Sequence, residues 1–78
     1  MTARETRLLL RAALAYINAT DALHRAYEAK DRHFDRYDSK CEACRSDYRR
    51  LDYEHTGAMM LAQTTRDTLN NLRRRFGR

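Results

Sequence analysis

DRHFDRYDSKCEAC, residues 31–44, is the stretch that decides how this chain folds. It is polar, holds Asp31, Asp35 and Asp38, and lies at mid-chain between two long apolar repeats. Asp38 and Ser39 compete locally for backbone hydrogen bonds. Ser39-x-x-Glu42 has the spacing of a capping box, in which each side chain can satisfy a free N–H at a helix start. A matching box, Thr2-x-x-Glu5, opens the chain. The reading that follows is one helix over about 3–37, a turn at about 38–39 and a second helix over about 40–76, with 1–78 as a single helical domain. Thr56-Gly57 offers a further break, because threonine can cap and glycine weakens a helix interior.

Composition narrows the class. The chain has 78 residues, no proline, and only two glycines, Gly57 and Gly77. A β-rich fold needs turns every eight to twelve residues or so and has few residues here to make them. Hydrophobic residues make up 42% and charged residues 35%, too apolar for a disordered tail but polar enough to limit the core. The expected class is all-α, an antiparallel hairpin of two long helices.

Outward from the turn, apolar positions alternate spacings of four and three. In the first helix they run through Leu9, Ala13, Tyr16, Thr20, Leu23, Tyr27, Lys30, Phe34 and Tyr37. In the second they run through Cys41, Cys44, Tyr48, Leu51, His55, Ala58, Ala62, Thr65, Leu69, Leu72 and Phe76. A sustained repeat of 3.5 points to coiled-coil-like packing. The repeat keeps its phase through the proposed turn, so three helices broken at Gly57 and a single uninterrupted rod stand as alternative topologies.

A second row, Ala12, Ala15, Ala19, Ala22, Ala26 and Ala29, gives helix 1 another face that a helix could approach closely. Leu8, Leu10, Leu14 and Ile17 extend the apolar surface, and AMMLA, residues 58–62, matches it on helix 2. Two helices bury only one side of each other, and large exposed apolar patches mark interfaces. The expected partner or dimer interface comprises Leu10, Leu14, Ile17, Ala12, Ala15, Ala19, Ala22, Met59, Met60 and Leu61, within a four-helix bundle or against another protein.

The net charge is +5, and of sixteen basic residues only Lys30 and Lys40 are lysine. Residues 12–72 hold nine basic and ten acidic side chains, so the surplus sits at the termini. A hairpin gathers Arg4, Arg7, Arg11, Arg73, Arg74, Arg75 and Arg78 at one end. Phosphate contact on nucleic acid, non-specific and salt-sensitive, is the functional reading of that pole. Solvated ends, or ends docked on acidic protein, are the plain one. No helix-turn-helix, RNA-recognition or zinc-finger signature is present.

The opposite pole holds Cys41 and Cys44. A turn centred near Asp38 brings His33 opposite them, and Cys₂His with a fourth ligand makes a tetrahedral zinc site. Two hairpin tips meeting would supply Cys₄ instead. A thiol near a helix N-terminus is also a redox candidate, and free cysteine packs as a small hydrophobe. The seam-filling role leads narrowly, which leaves no cofactor as the expectation and zinc as the alternative. Asp21-x-x-His24 and Asp52-x-x-His55 would face each other across the hairpin, each histidine opposite the other helix's aspartate, as in two-metal bundles. Those sites need further inward glutamates that this chain lacks.

No Walker, glycine-rich or Ser/His/Asp pattern appears, so no enzyme is expected. No apolar run reaches the roughly 20 residues of a membrane span, and no signal-peptide core opens the chain. The expectation is a cytoplasmic, non-enzymatic helical adaptor or regulator that self-associates or docks on a protein partner. A small basic nucleic-acid-binding protein is the alternative, and a zinc-bound form of either is the third.

Overall fold

The computed structural model, which describes residues 1–77, is two antiparallel helices packed along their length. Helix α1 spans Ala3–Phe34 and α2 spans Glu42–Phe76, and the described residues contain no strand. The rod measures 58 × 14 × 14 Å. The all-α hairpin read from the sequence is the fold.

Helix α1 starts where its capping box places it. The Thr2 hydroxyl accepts the Glu5 N–H at 3.1 Å and donates to the Glu5 carboxylate at 3.0 Å. The turn differs from expectation. α1 ends at Phe34 rather than Tyr37, closing with tight bonds from the Arg36 N–H to the His33 carbonyl and from the Tyr37 N–H to the Phe34 carbonyl. Helix α2 is capped by Cys41, not Ser39. The cause is Asp38: its carboxylate accepts the Lys40 N–H at 2.9 Å and its carbonyl accepts the Cys41 N–H at 3.1 Å. An aspartate-centred turn accepts both N–H groups outside a helix, and α2 begins at Glu42, two residues later than expected.

The α2 seam lies where the repeat places it. Tyr48, Leu51, His55, Ala58, Thr65, Leu69, Leu72 and Phe76 are half-buried and Ala62 is buried. In α1 the expected seam holds at Leu9, Ala13, Tyr16, Thr20, Leu23 and Lys30, all half-buried, but Tyr27, Phe34 and Tyr37 are exposed; the deepest positions are Ala12 and Ala19, with Ala26 and His33 continuing their row. Helix α1 is thus rotated by about half a residue step, roughly 50°. Small side chains let the two backbones approach, and the rings of Tyr27 and Phe34 set between them at the loop end would hold them apart. Tyr27 and Phe34 are exposed accordingly. Thr65, inside the seam, satisfies its hydroxyl locally on the Leu61 and Ala62 carbonyls.

Helix α2 does not break at Gly57. That glycine is exposed, has no unusual φ, and a Cβ built on it meets nothing within 4 Å. Gly77 has a different role: it caps α2 through its N–H on the Arg73 carbonyl at 2.8 Å, and a Cβ there would collide with that oxygen. Gly57→Ala should therefore stabilise the protein by about 0.5–1 kcal/mol, the helix-propensity difference at an open interior site. Chemical denaturation checks this. A loss of stability would mean that the chain bends at Gly57.

Candidate functional site

Three regions of the hairpin carry the residues that sequence reading singled out: the loop pole, the terminal pole and the flanks between them.

At the loop pole the chain brings together an aromatic and polar cluster rather than a set of metal ligands. His33 Nε2 lies 3.0 Å from the Cys44 carbonyl oxygen, so one ring nitrogen donates to backbone. The His33 ring also sits 6.4 Å from Tyr37 and 6.3 Å from Tyr48, centroid to centroid. The Cys41 thiol accepts the Cys44 N–H at 3.4 Å, acting as the cap of α2. Among the described residues, no three His, Cys, Asp or Glu side chains are placed to hold a metal ion. The alternative Cys41, Cys44 and His33 set is engaged otherwise in this arrangement: the Cys41 thiol caps α2 and His33 donates to the Cys44 carbonyl.

The same cap separates the two thiols chemically. The N–H of Cys44, followed by its side chain, stabilises the Cys41 thiolate and holds its pKa below the usual thiol value. Cys44, hydrogen-bonded to Cys41, is pushed up.

The reciprocal Asp–His arrangement also dissolves. Asp52 is met by Lys30 at 2.6 Å, His24 pairs with Glu28 at 3.0 Å along its own helix, and His55 rests against Tyr27 at 5.8 Å between centroids. Counting residues from Asp38 misplaces these partners because the register is centred nearer residue 41: Lys30 meets Asp52, Tyr27 meets His55 and Phe34 meets Tyr48. The Lys30–Asp52 bond lowers the Asp52 pKa and raises that of Lys30, whose ammonium also sits 5.7 Å over the Tyr48 ring.

The terminal pole gathers Arg4, Arg7, Arg11, Arg73, Arg74 and Arg75, all exposed and none in an ion pair among the described residues. Arg78 lies outside the described residues. Arg75 covers the Phe76 ring at 5.8 Å, and Arg73 and Arg74 border a cleft floored by Leu9 and Asn70.

The flanks correct the expected interface. Ala12 and Ala19 are buried and Ala22 is half-buried inside the hairpin, so α2 already covers most of that alanine row. Ala15 remains exposed. The AMMLA segment is no single patch either: successive residues step about 100° around the helix. Ala58 and Ala62 turn inward, Met59 lies on one flank, Met60 points outward and Leu61 lies toward the other flank. All three large residues stay more than half exposed.

The Met59 flank is the continuous one. Thr20 and Leu23 line a groove with Met59 and Ala62, the groove runs on past Tyr27 and His55, and it ends at Phe34 and Tyr48. Helical spacing sets Leu10 and Ile17 on the same ridge as Thr20 and Tyr27, with Leu14 beside them. Leu10 and Leu14 are each 60% exposed, Ile17 55% and Phe34 62%. The sequence repeat assigns Tyr27 and Phe34 to the seam with Thr20; the structure leaves Thr20 half-buried and turns the two rings onto the flank. No described helix is long and apolar enough to cross a membrane.

Comparison with known protein families, with curated proteins and with solved structures returns no match.

The cap geometry predicts thiol selectivity. Iodoacetamide at neutral pH should alkylate Cys41 ahead of Cys44, with the preference shrinking as pH rises and both thiols ionise. Peptide mass spectrometry after brief labelling reads this directly. Preferential labelling of Cys44 would show that the thiol does not cap α2 in solution.

Proposed function

We propose that this chain is a non-enzymatic helical interaction module, an adaptor or regulator by class, that acts by covering its Met59 flank with another helical surface. One observation carries the reading. The described core consists of Ala12, Ala19 and Ala62, and no large side chain is fully buried. Ordering a chain of this length costs on the order of 100 kcal/mol in conformational entropy, and three buried alanines with a seam that is only half-buried offset part of it. The apolar area that should stabilise the fold lies outside it, on Leu10, Leu14, Ile17, Tyr27, Phe34 and Met59. A four-helix arrangement, from a second hairpin or another protein, supplies the missing cover. The reading sets the protein in the cytoplasm, where both cysteines remain thiols.

Apolar burial is indifferent to salt, so a complex on this flank should survive 1 M NaCl. Tagged chain from its native host should retain its partner in high salt and lose it when Leu14 and Ile17 are both changed to glutamate. A complex that dissolves below 0.3 M salt would place the interface at the arginines instead.

The unpaired arginine pole favours a second reading, non-specific phosphate binding. Here the changes Arg73→Gln, Arg74→Gln and Arg75→Gln should leave helicity intact, weaken binding to any duplex alike, and flatten the salt slope by about one unit per lost contact. Undetectable binding by the parent chain at 50 mM salt would end this reading.

A further inference from the structure

We infer that the surface covering the Met59 flank is a second copy of this chain, turned end for end, so that the loop pole of each hairpin lies beside the termini of the other. The inference rests on the reading above, that this flank is an interface, and names its occupant.

Area comes first. A compact protein of 9.3 kDa exposes about 5,000 Å², whereas this hairpin exposes 6479 Å². The surplus of roughly 1,500 Å² exceeds the roughly 800 Å² that each partner contributes to a standard interface and reaches the range of obligate dimers. The surplus belongs to the rod itself, and a second rod alongside removes it from water.

The flank is also complementary to itself. Its aliphatic part, Leu10, Leu14 and Ile17, lies in the terminal half; its aromatic part, Tyr27 and Phe34, lies in the loop half; Met59 sits between them. A two-fold axis near Met59 lays the aliphatic half of each copy on the aromatic half of the other, the self-matching arrangement that closed dimers require. On α1 the ridge Leu10, Ile17, Thr20, His24 and Tyr27 carries no Lys, Arg, Asp or Glu, and on α2 Arg66 borders the groove beside Met59, where a long side chain can keep its charge in water at the rim.

Charge sets the direction. A parallel pair would crowd two arginine poles together. The antiparallel pair separates them by nearly the 58 Å length of the rod, far beyond a Debye length of about 8 Å. Each arginine pole then lies beside a loop pole where Asp31, Asp35, Asp38 and Glu42 are nearly balanced by Arg32, Arg36 and Lys40, so the antiparallel arrangement relieves repulsion without placing two like poles together.

The test uses the full chain carrying Cys41→Ser, which keeps a capping oxygen, and Cys44→Ala. Fluorophores are placed at Ala3→Cys or Ser39→Cys, both exposed positions. Sedimentation equilibrium between 10 and 100 µM should give a dimer at 0.15 M and at 1 M NaCl. Energy transfer should be strong between an Ala3-labelled and a Ser39-labelled copy, and weak between two Ala3-labelled copies. Strong Ala3–Ala3 transfer would overturn the antiparallel pairing. Ile17→Glu should weaken dimerisation by about 30-fold or more, while Leu61→Glu, toward the other flank, should leave it unchanged; the reverse pattern would overturn the assignment to this flank. A chain that is monomeric and largely unfolded alone would overturn self-pairing yet leave the interface reading standing, since another partner must then complete the fold. A helical monomer that melts cooperatively would overturn both.

Discussion

Close approach of two backbones at Ala12, Ala19 and Ala62 is the contact on which the rest of this hairpin depends. Ala19 is only 3% exposed, and nothing larger is buried as deeply. Alanine at alternate layers lets the helices lie near enough for Leu9, Tyr16 and Leu23 to wrap the seam from its edges. It also fixes the rotation of α1 about its axis. With the alanines inward, Tyr27 and Phe34 turn out onto one flank, and Leu10, Leu14 and Ile17 follow. Tight packing inside and apolar surface outside are therefore one choice, because a seam of small residues buries little area while large residues on the same helix stay in water.

A seam of alanines specifies rotation well and register poorly, since one alanine layer resembles the next. Register is supplied at the loop end by polar pairs. Lys30 on Asp52 and His33 on the Cys44 carbonyl each have one geometry, and sliding α2 by a turn would break both. Asp52 is held ionised below the usual carboxylate range and Lys30 above the usual ammonium range, so the pair is charged from the carboxylate range up to strongly basic pH. Lowering pH through the depressed Asp52 value, or raising it through the elevated Lys30 value, removes its contribution. Both side chains remain partly in water, which limits what the pair adds to stability; it selects among registers that apolar packing leaves nearly equal.

Legibility in the sequence followed the physics of each feature. The hairpin, both helices and the whole α2 stripe were readable because a 3.5-residue repeat integrates over many residues. The rotation of α1 was not, because its two candidate stripes share Leu9, Tyr16, Leu23 and Lys30 and differ only in the alternate layer. A rule that prefers large apolar residues inside chooses Tyr27 and Phe34, and the distance between backbones overrides it. The cap failed in a related way: Ser39 and Cys41 both precede a glutamate-containing helix start, and only the Asp38 hydrogen bonds decide between them. The candidate ligand trio depends on counting residues from Asp38, whereas the pairs Lys30–Asp52, Tyr27–His55 and Phe34–Tyr48 centre the register near residue 41. The loop's conformation sets that centre, and no repeat in the flanking helices encodes it.

The same antiparallel geometry shapes the field at the terminal pole. The positive end of α1 and the negative end of α2 lie side by side there, so the two backbone dipoles largely cancel. What remains is side-chain charge. Arg73, Arg74 and Arg75 sit in the last turn of α2, where its dipole favours them; Arg4 sits in the first turn of α1, with Arg7 just beyond it, where the dipole opposes a cation and only Glu5 offsets it. The pole is electropositive because of its arginines alone, on exposed side chains that ions screen within about a nanometre. The apolar flank answers to no such screening. One small fold thus carries two surfaces governed by different solution variables, ionic strength at one end and burial of area along the side, and neither depends on moving the seam that joins them.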